Sequence, residues 1–305
     1  MLQIKEYLKN PKMTAIVLLQ HFGQWLPDSV YLKLMFPLKM GYKLNLKNPQ
    51  TFSEKLQWLK LYNRHPEYTM MVDKYSVKDY VSSIIGSDYV IPTLGVWDKP
   101  EDIEWEKLPD KFVLKTTHGG GSSGVVICKD KTTFDIKKAI ASLNTSMSQD
   151  IYRFSKEWPY KDVHRRVLAE KYVEGENKDL PDYKFFCFDG EVKGLFVATD
   201  RQTPGTDVKF DFFDSEFNYL PFRQGHDHAQ VTPEMPKNFE LMKTLASKLS
   251  KGIPQVRVDF YDLGNAVLFG ELTFFHFSGT MPFEPREWDY RFGEWLTLPR
   301  EKYSG

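Results

Sequence analysis

The residues best suited to chemistry lie in two short apolar segments late in the sequence. Arg257 and Asp259 occur in Val-Arg-Val-Asp-Phe, and Glu271 and Thr273 follow in Gly-Glu-Leu-Thr. Because side chains alternate along a strand, each pair shares one face of its strand. Carboxylate and hydroxyl oxygens that converge beside a phosphate suit Mg²⁺. The spacing predicts Asp259, Glu271 and Thr273 as metal ligands and Arg257 as a catalytic residue at a transferred phosphoryl group. Surface charge pairs between two strands are the alternative.

A glycine-rich segment supplies the second candidate. The strand-like run from Phe112 to Lys115 precedes His118 and then glycines and serines. Glycine lets backbone N–H groups approach phosphate oxygens, serine hydroxyls add donors, and Lys115 adds positive charge. The segment is neither a Walker loop nor a GxGxxG turn. It predicts a phosphate-binding flap, with a flexible hairpin loop as the alternative. The flap residues are Gly119, Gly120, Gly121, Ser122, Ser123 and Gly124.

The third candidate is the segment from Val167 to Gly175, which is typical of a strand that runs into a polar turn. Its edge backbone groups and the Glu170 carboxylate can bind an adenine. A solvated strand end is the simpler interpretation of this segment by itself.

Composition excludes several classes of protein. The 305 residues are 41% hydrophobic and 15% aromatic, which is enough for one large or two moderate globular units. The 41 basic and 41 acidic residues cancel and are scattered, so nucleic acid is not an expected partner. The two cysteines, Cys128 and Cys187, have no metal-ligand spacing and favour a reducing compartment, so we expect a cytoplasmic protein.

The apolar runs between Thr14 and Phe36 resemble a membrane span only superficially. Polar residues and Pro27 interrupt them, and no run approaches the roughly 20 residues that a spanning helix needs. We predict two short helices that pack on the main body. Contact of their aromatic faces with a membrane surface or a partner is the alternative.

The rest of the pattern positions these candidates. Residues 48–86 are helical in pattern: a Thr51 to Glu54 capping box opens the first helix, and a second helix contains Val72 and Tyr75 and ends at Gly86. The segment Gln202–Gln230 is rich in Gly, Pro, His and Asp, and we expect a substrate-facing or mobile excursion there. Two further helices are predicted at Lys137–Leu143 and Phe239–Ser250. The predicted strands are Val90–Trp97, Lys111–Lys115, Gly124–Cys128, Arg166–Val173, a hairpin of Tyr183–Phe188 and Glu191–Thr199 turning at Asp189-Gly190, and a pair of Gln255–Tyr261 and Val267–Phe274.

The order of these elements resembles the ATP-grasp superfamily. From about Asn48 onward the chain more closely resembles the TupA-like ATP-grasp family, named for a teichuronopeptide biosynthesis protein. The phrases that carry the resemblance are Asn48–Trp58, Val72–Tyr75, Leu94–Trp97, Asp182–Gly190 and Phe269–Phe274.

The resemblance implies an α+β fold of the ATP-grasp type, in which two α/β lobes hold ATP between them, preceded by an N-terminal helical extension. The implied divisions are an extension at 1–47, a helical and strand region at 48–110, an ATP-binding lobe with the flap at 111–175, and a C-terminal lobe with the metal site at 176–305.

The resemblance also implies roles by position. Lys74 and Lys115 would bind phosphate, and Lys115 joins Arg257 as a catalytic residue. Asp182 would hold the ribose hydroxyls. The adenine hinge would comprise Glu170 and the backbone of Lys171, Tyr172 and Val173. The chain departs from the pattern in three places: Thr273 stands where many members have Asn, residues 275–280 replace a Thr-Pro-Gly-Ser-Gly-like sequence, and the flap has about one extra small residue.

The implied cofactors are ATP and Mg²⁺, and the implied reaction joins a carboxylate to an amine through an acyl phosphate. The family context is bacterial surface polysaccharide synthesis, in which an amino acid would be attached to a uronic acid on a saccharide acceptor. A glycosyltransferase is the first alternative, although no Asp-x-Asp motif occurs. A non-catalytic nucleotide- or glycan-binding protein is the second. His118 and His276 are expected to pack or cap rather than to transfer protons.

Overall fold

The computed structural model describes residues 10–120, 124–174, 180–200 and 205–303. Its helices are Pro11–Phe22 (α1), Asp28–Met40 (α2), Phe52–Tyr62 (α3), Glu67–Val72 (α4), Val77–Ile85 (α5), Ile136–Met147 (α6), Ile151–Ser155 (α7), Phe239–Ser250 (α8) and Glu287–Trp295 (α9). Its strands are Thr93–Trp97 (β1), Phe112–Thr116 (β2), Val125–Cys128 (β3), Val167–Lys171 (β4), Asp182–Phe188 (β5), Glu191–Thr199 (β6), Lys209–Asp214 (β7), Tyr219–Leu220 (β8), Val256–Asp262 (β9) and Val267–Thr273 (β10). Separate helices and antiparallel sheets make this an α+β fold, as predicted.

The smaller sheet has four antiparallel strands in the order β1-β4-β2-β3. Helix α6 covers it over a core that includes Phe112, Leu114 and Leu143. Glu170 on β4 lies opposite Val113 on β2, and Lys115 is two residues farther along β2. Lys115 and Glu170 therefore project from the same face of the sheet.

The larger sheet has six antiparallel strands in the order β10-β9-β5-β6-β7-β8, and α8 packs on β5, β6 and β9. The predicted hairpin of β5 and β6 is confirmed: Asp189 and Gly190 have φ angles of 48° and 84°, as a tight two-residue turn requires. In the pairing of β5 with β9, Lys184 lies opposite Asp259. The pairing of β10 with β9 shifts register between Phe269 and Leu272, which is a β-bulge beside the candidate metal ligands.

The N-terminal helices pack on the main body, as predicted. Buried side chains of α1 and α2, including Ile16, Tyr31 and Met35, form a cluster with Leu61 of α3. Within the described residues no helix is both long enough and apolar enough to cross a membrane.

The capping box at the start of α3 is confirmed. The Thr51 hydroxyl accepts the Glu54 N–H at 3.1 Å, and the Glu54 carboxylate accepts the Thr51 N–H at 3.2 Å. These bonds satisfy N–H groups that have no partner inside the helix.

The prediction of one helix through Val72 and Tyr75 is wrong, because α4 and α5 are separated by a turn at residues 73–76. An Asp73 carboxylate oxygen accepts the N–H groups of Tyr75 at 2.8 Å and Ser76 at 3.1 Å. Such local bonds compete with helical ones. Lys74 consequently lies in a turn rather than in a helix.

The interpretation of residues 202–230 as a mobile excursion is wrong for Lys209–Asp214 and Tyr219–Leu220, which are strands. Strands β7 and β8 extend the large sheet there, and Phe212, Phe213 and Phe222 are buried. The aromatic run at 210–213 pairs with β6 because its apolar side chains complete the core.

Candidate active site

The charged residues of β9 and β10 form one buried cluster. The Arg257 guanidinium donates to both carboxylate oxygens of Asp259 at 2.7 Å and to Glu271 Oε1 at 2.8 Å. The Thr273 hydroxyl donates to the same Glu271 oxygen at 3.1 Å. The structure thus brings together the four side chains that the strand alternation singled out.

Lys184 of β5 completes this cluster from the neighbouring strand. Its ammonium contacts Asp182 at 2.6 Å and also bonds to Asp259. Burial opposes the charged form, but Asp182 and Asp259 raise the pKa of Lys184 overall. Burial acts oppositely on Asp259 and raises the pKa of its carboxyl despite the two cations. Asp259 therefore depends on Arg257 and Lys184 to remain ionised.

Arg257 is oriented from its other side by a histidine. Its Nη1 donates to His276 Nδ1 at 2.9 Å, and His276 Nε2 lies 3.1 Å from Gln224 Oε1. Because a guanidinium only donates, Nδ1 is the acceptor and the proton is on Nε2. Burial and the Arg257 charge lower the pKa of His276 well below its usual value. His276 is a neutral acceptor that positions Arg257, which agrees with the expectation that it packs.

A second charged group faces the first from the small sheet. The Glu170 carboxylate forms salt bridges with Lys115 at 2.6 Å and with Lys78 at 2.5 Å. Burial opposes ionisation of Glu170, and the two lysines lower its pKa overall. Lys74 donates to the Gly119 carbonyl and lies 3.9 Å from Glu271.

The second group lines a cleft that β10 of the large sheet borders from the other side. Lys115 and Glu170 come from the small sheet, Phe269 and Gly270 from β10 of the large sheet, and Lys74 from the turn between α4 and α5. Lys74 spans the cleft, since it contacts the flap on one side and approaches Glu271 on the other. This arrangement can hold a polyanion between two sheets.

The described part of the flap is anchored at both ends. Gly119 N–H donates to the Thr116 carbonyl, and Thr116 N–H donates to the Gly124 carbonyl at 3.0 Å. Gly124 has a φ angle of +74°, and a Cβ there would lie 2.2 Å from Ser146 Oγ, so only glycine fits. Gly120 is described, whereas Gly121, Ser122 and Ser123 lie outside the described residues. His118 is buried beside this segment.

The predicted adenine and ribose residues occupy more than one environment. The Glu170 carboxylate points to the lysines described above, and the Lys171 N–H donates to the Pro92 carbonyl at 3.0 Å. Tyr172 and Val173 are half-buried at the end of β4. Asp182 is buried beside Lys184. The assignment of these residues to a nucleoside remains a prediction.

The donor set fits Mg²⁺ only together with a substrate. Asp259 and Glu271 both accept from Arg257 Nη2, so their oxygens face a common point. Among the described residues, no three His, Cys, Asp or Glu side chains form a metal site by themselves. Mg²⁺ typically takes one or two carboxylates and completes its shell with water and phosphate oxygens. Asp259 and Glu271, with the Thr273 hydroxyl, meet that requirement.

Comparison with known families identifies the fold. The sequence profile described as TupA-like ATPgrasp matches residues 54–297. The chain belongs to the TupA-like ATP-grasp family. The α+β architecture is therefore an ATP-grasp fold, as the sequence predicts.

Solved structures similar to this TupA-like chain include two D-alanine–D-alanine ligases. The Helicobacter pylori enzyme is 15% identical over 81% of this chain and 70% of its own length, with a TM-score of 0.44. The Bacillus anthracis enzyme is 19% identical over 67% of this chain and 57% of its own length, with a TM-score of 0.40. An L-amino acid ligase from Bacillus licheniformis is 15% identical over 68% of this chain and 44% of its own length, with a TM-score of 0.42. No curated protein sequence matches the chain.

Sequence reasoning missed three residues of the candidate site. Lys184 is two residues after Asp182, so strand alternation could have placed both on one face. Lys78 follows Lys74 by four residues in a segment that was predicted to be helical, and this spacing was a usable signal. Gln224 gave no signal, because it reaches His276 from a loop 52 residues away.

Proposed function

We propose that the chain is an ADP-forming ligase that joins a carboxylate to an amine, with ATP and Mg²⁺ as cofactors. The observation that carries the proposal is the position of Lys74 between two charged groups, because its ammonium donates to the Gly119 carbonyl of the flap and lies 3.9 Å from Glu271. Lys74 and Lys115 border the flap, while Arg257, Asp259 and Glu271 form the cluster on β9 and β10. Membership of the ATP-grasp family supports a nucleotide in this cleft.

In the proposed reaction, the first substrate's carboxylate oxygen attacks the γ-phosphorus of ATP, so that an acyl phosphate forms and ADP leaves. The amine then attacks the acyl carbon, an amide forms, and phosphate leaves. Phosphoryl transfer depends mainly on positioning and on neutralising charge. Bound Mg²⁺, held by Asp259, Glu271 and Thr273, would neutralise part of the triphosphate charge.

The chain's own cations divide this task. Lys74 and Lys115 would bind the phosphates of ATP before the reaction. Arg257 is buried and is bound on two sides by Asp259 and His276, so its guanidinium has a fixed orientation. A preorganised cation stabilises charge that develops during the reaction better than a mobile one.

Neither cysteine is suited to form a covalent enzyme intermediate, which favours direct attack by the substrate carboxylate. Burial raises the pKa of the Cys187 thiol to about 12, and burial also raises the pKa of Cys128. Neither residue forms a thiolate at neutral pH, so neither is an activated nucleophile. His276 is neutral, and its Nδ1 accepts a hydrogen bond from Arg257.

We further propose that the amide joins an amino acid or another amine to a uronic-acid carboxylate on a saccharide acceptor, in bacterial surface polysaccharide synthesis in the cytoplasm. The resemblance to TupA-like proteins supports this step. The adenine and ribose roles of residues 170–173 and Asp182, and the four divisions of the chain, belong to the same proposal.

The test is incubation of the purified chain with Mg-ATP and a panel of uronic and amino acids, followed by mass analysis. We expect ADP, phosphate and an amide, and added hydroxylamine should trap the acyl phosphate as a hydroxamate. Chelation of Mg²⁺ with EDTA should stop ADP release.

The control variants are Asp259→Asn, which changes the cluster, and Asp227→Asn, which changes an exposed carboxylate outside the cleft. Hydroxamate should be lost only in the first variant while both chains remain folded. Turnover of a sugar nucleotide without ATP would instead identify a glycosyltransferase and overturn the proposal.

A further inference from the structure

The outward face of the N-terminal helical pair is apolar. Trp25 is 81% exposed, Phe22 65% and Leu18 51%. Further large apolar side chains are exposed on the same two helices, namely Met13, Val17, Val30 and Leu34. Several large apolar side chains exposed on one helical pair are typical of an interaction site.

Packing among residues 10–120, 124–174, 180–200 and 205–303 leaves this face exposed. The opposite sides of α1 and α2 already bury Ile16, Leu32 and Met35 against each other and against α3. On α1, Met13 and Val17 are four residues apart, as are Leu18 and Phe22, so the members of each pair are neighbours on the helix surface. Trp25 follows in the turn that joins α1 to α2.

The segment that carries this face is basic. Residues 10–49, all of which are described, contain five lysines and one acidic residue, whereas the whole chain has a net charge of zero. The acidic residue, Asp28, is turned inward, where Arg64 binds it at 2.6 Å and Tyr152 donates to it. Lys12 and Lys33 are exposed, and each is next in sequence to an exposed apolar residue, Met13 and Leu34. The face is therefore complementary to an anionic surface.

The combination favours a lipid surface over a second copy of the chain. In a two-fold symmetric dimer this patch would meet itself and bring its lysines close to their copies. Exposed Trp and Phe beside lysines are typical of helices that lie in the membrane interface. We propose that α1 and α2 dock on the surface of an anionic bilayer, with Leu18, Phe22 and Trp25 entering the headgroup region.

Docking there would bring one side of the candidate site toward lipid. Lys39 of α2 lies 3.5 Å from the Thr280 hydroxyl, in the loop that follows β10 and His276. If the proposed ligase function holds, an acceptor carried on a lipid would reach the site from this side. The docking itself does not depend on that function, and its test involves no turnover.

The test is sedimentation of the full chain with vesicles that contain equal parts of phosphatidylglycerol and phosphatidylcholine, compared with pure phosphatidylcholine vesicles. We expect at least about tenfold stronger binding to the anionic vesicles at low salt, and weakening as salt is added. The variant L18S/F22S/W25S should lose that binding. The matched control V231S/M235S should retain it. This control removes two apolar side chains outside the N-terminal helices, which are 81% and 55% exposed.

A second measurement does not depend on how well the triple variant folds. Vesicles with brominated acyl chains should quench part of the tryptophan fluorescence of the unaltered chain, and W25F should lose that quenched part. Equal vesicle binding by the triple variant and the control would overturn the proposal. The proposal would also be overturned if the unaltered chain formed a dimer and did not bind vesicles, and if the triple variant were a monomer.

Discussion

At the scale of single residues, each buried charge of the site is compensated by an opposite charge in contact with it. Asp259 holds Arg257 and Lys184, and Arg257 also holds Glu271. Removing one partner of a buried pair leaves an uncompensated charge, which commonly costs about 3–5 kcal/mol of stability. Variants here must therefore conserve shape, and each activity must be measured together with a melting curve.

Lys115 and Arg257 should differ in kinetics. We expect Lys115→Met to raise the KM for ATP about tenfold or more, because it removes a contact to phosphate in the bound ground state. Arg257→Lys should mainly lower kcat, because the lysine lacks the fork that Asp259 and His276 orient. Steady-state kinetics with varied ATP would separate the two effects. Losses confined to KM in both variants would contradict this division.

His276 should act through Arg257. His276→Ala removes the acceptor of Nη1 and should lower kcat by about 10- to 100-fold with little change in the KM for ATP. His276→Asn places an amide oxygen near the Nδ1 position and should recover most of the rate. A proton-transfer role predicts the opposite, namely that the asparagine variant is as inactive as the alanine variant.

The same histidine should affect stability at low pH. Its pKa is lowered in the folded state, so below about pH 6.5 the unfolded chain binds a proton that the folded chain refuses. The wild type should then lose up to about 1.4 kcal/mol per pH unit relative to His276→Asn, with no such difference above pH 7. Urea unfolding of both chains between pH 5 and 8 measures this.

Much of the charged cluster could be predicted from sequence. Alternation along β9 and β10 placed Arg257, Asp259, Glu271 and Thr273 on adjacent faces, and period-two geometry is insensitive to distant context. Alternation along β5 could have placed Lys184 on the face of Asp182, but the contact of Lys184 with Asp259 follows only from the pairing of β5 with β9. Pairings between strands far apart in sequence are not visible in either strand alone.

At the scale of elements, the bulge in β10 deserves a test of its own. A Cβ on Gly270 would lie 3.2 Å from the Asp259 carbonyl oxygen and 3.3 Å from the Asp259 Cβ. Gly270→Ala should therefore push Asp259 away from Arg257 and lower kcat by about tenfold or more. The measurement is kcat together with the melting temperature. Unchanged kinetics in a folded variant would show that the close approach is irrelevant to the reaction.

Element positions were predicted well where the signal is local. The capping box of α3 and the Asp189-Gly190 turn depend on residues within four positions of each other. The break between α4 and α5 also has a local cause, the Asp73 side chain, but helical periodicity on both sides concealed it. Strand β7 was concealed by turn-forming residues around it, because only pairing with β6 decides its conformation.

At the scale of the whole molecule, the last helix joins the first helix of the main body. One Asp289 oxygen accepts the Ser53 N–H at 2.8 Å, and the other accepts the Tyr42 hydroxyl at 3.0 Å. Asp289→Ala should lower the free energy of unfolding by about 1–3 kcal/mol, since the buried Ser53 N–H loses its acceptor and the Tyr42 hydroxyl keeps only Thr51. Asp289→Asn keeps an acceptor and should cost less. Urea unfolding of the two variants provides the comparison.

The contact between α3 and α9 can form only late in synthesis. Ser53 and Asp289 are separated by 236 residues, so the ribosome needs roughly 10 to 50 seconds to make the second after the first. During that interval Phe52 lacks Phe283 and Phe292, which later pack against it. The apolar side of α3 is thus incompletely covered in the nascent chain. We expect the yield of folded protein in cells to depend on chaperones that bind emerging chains.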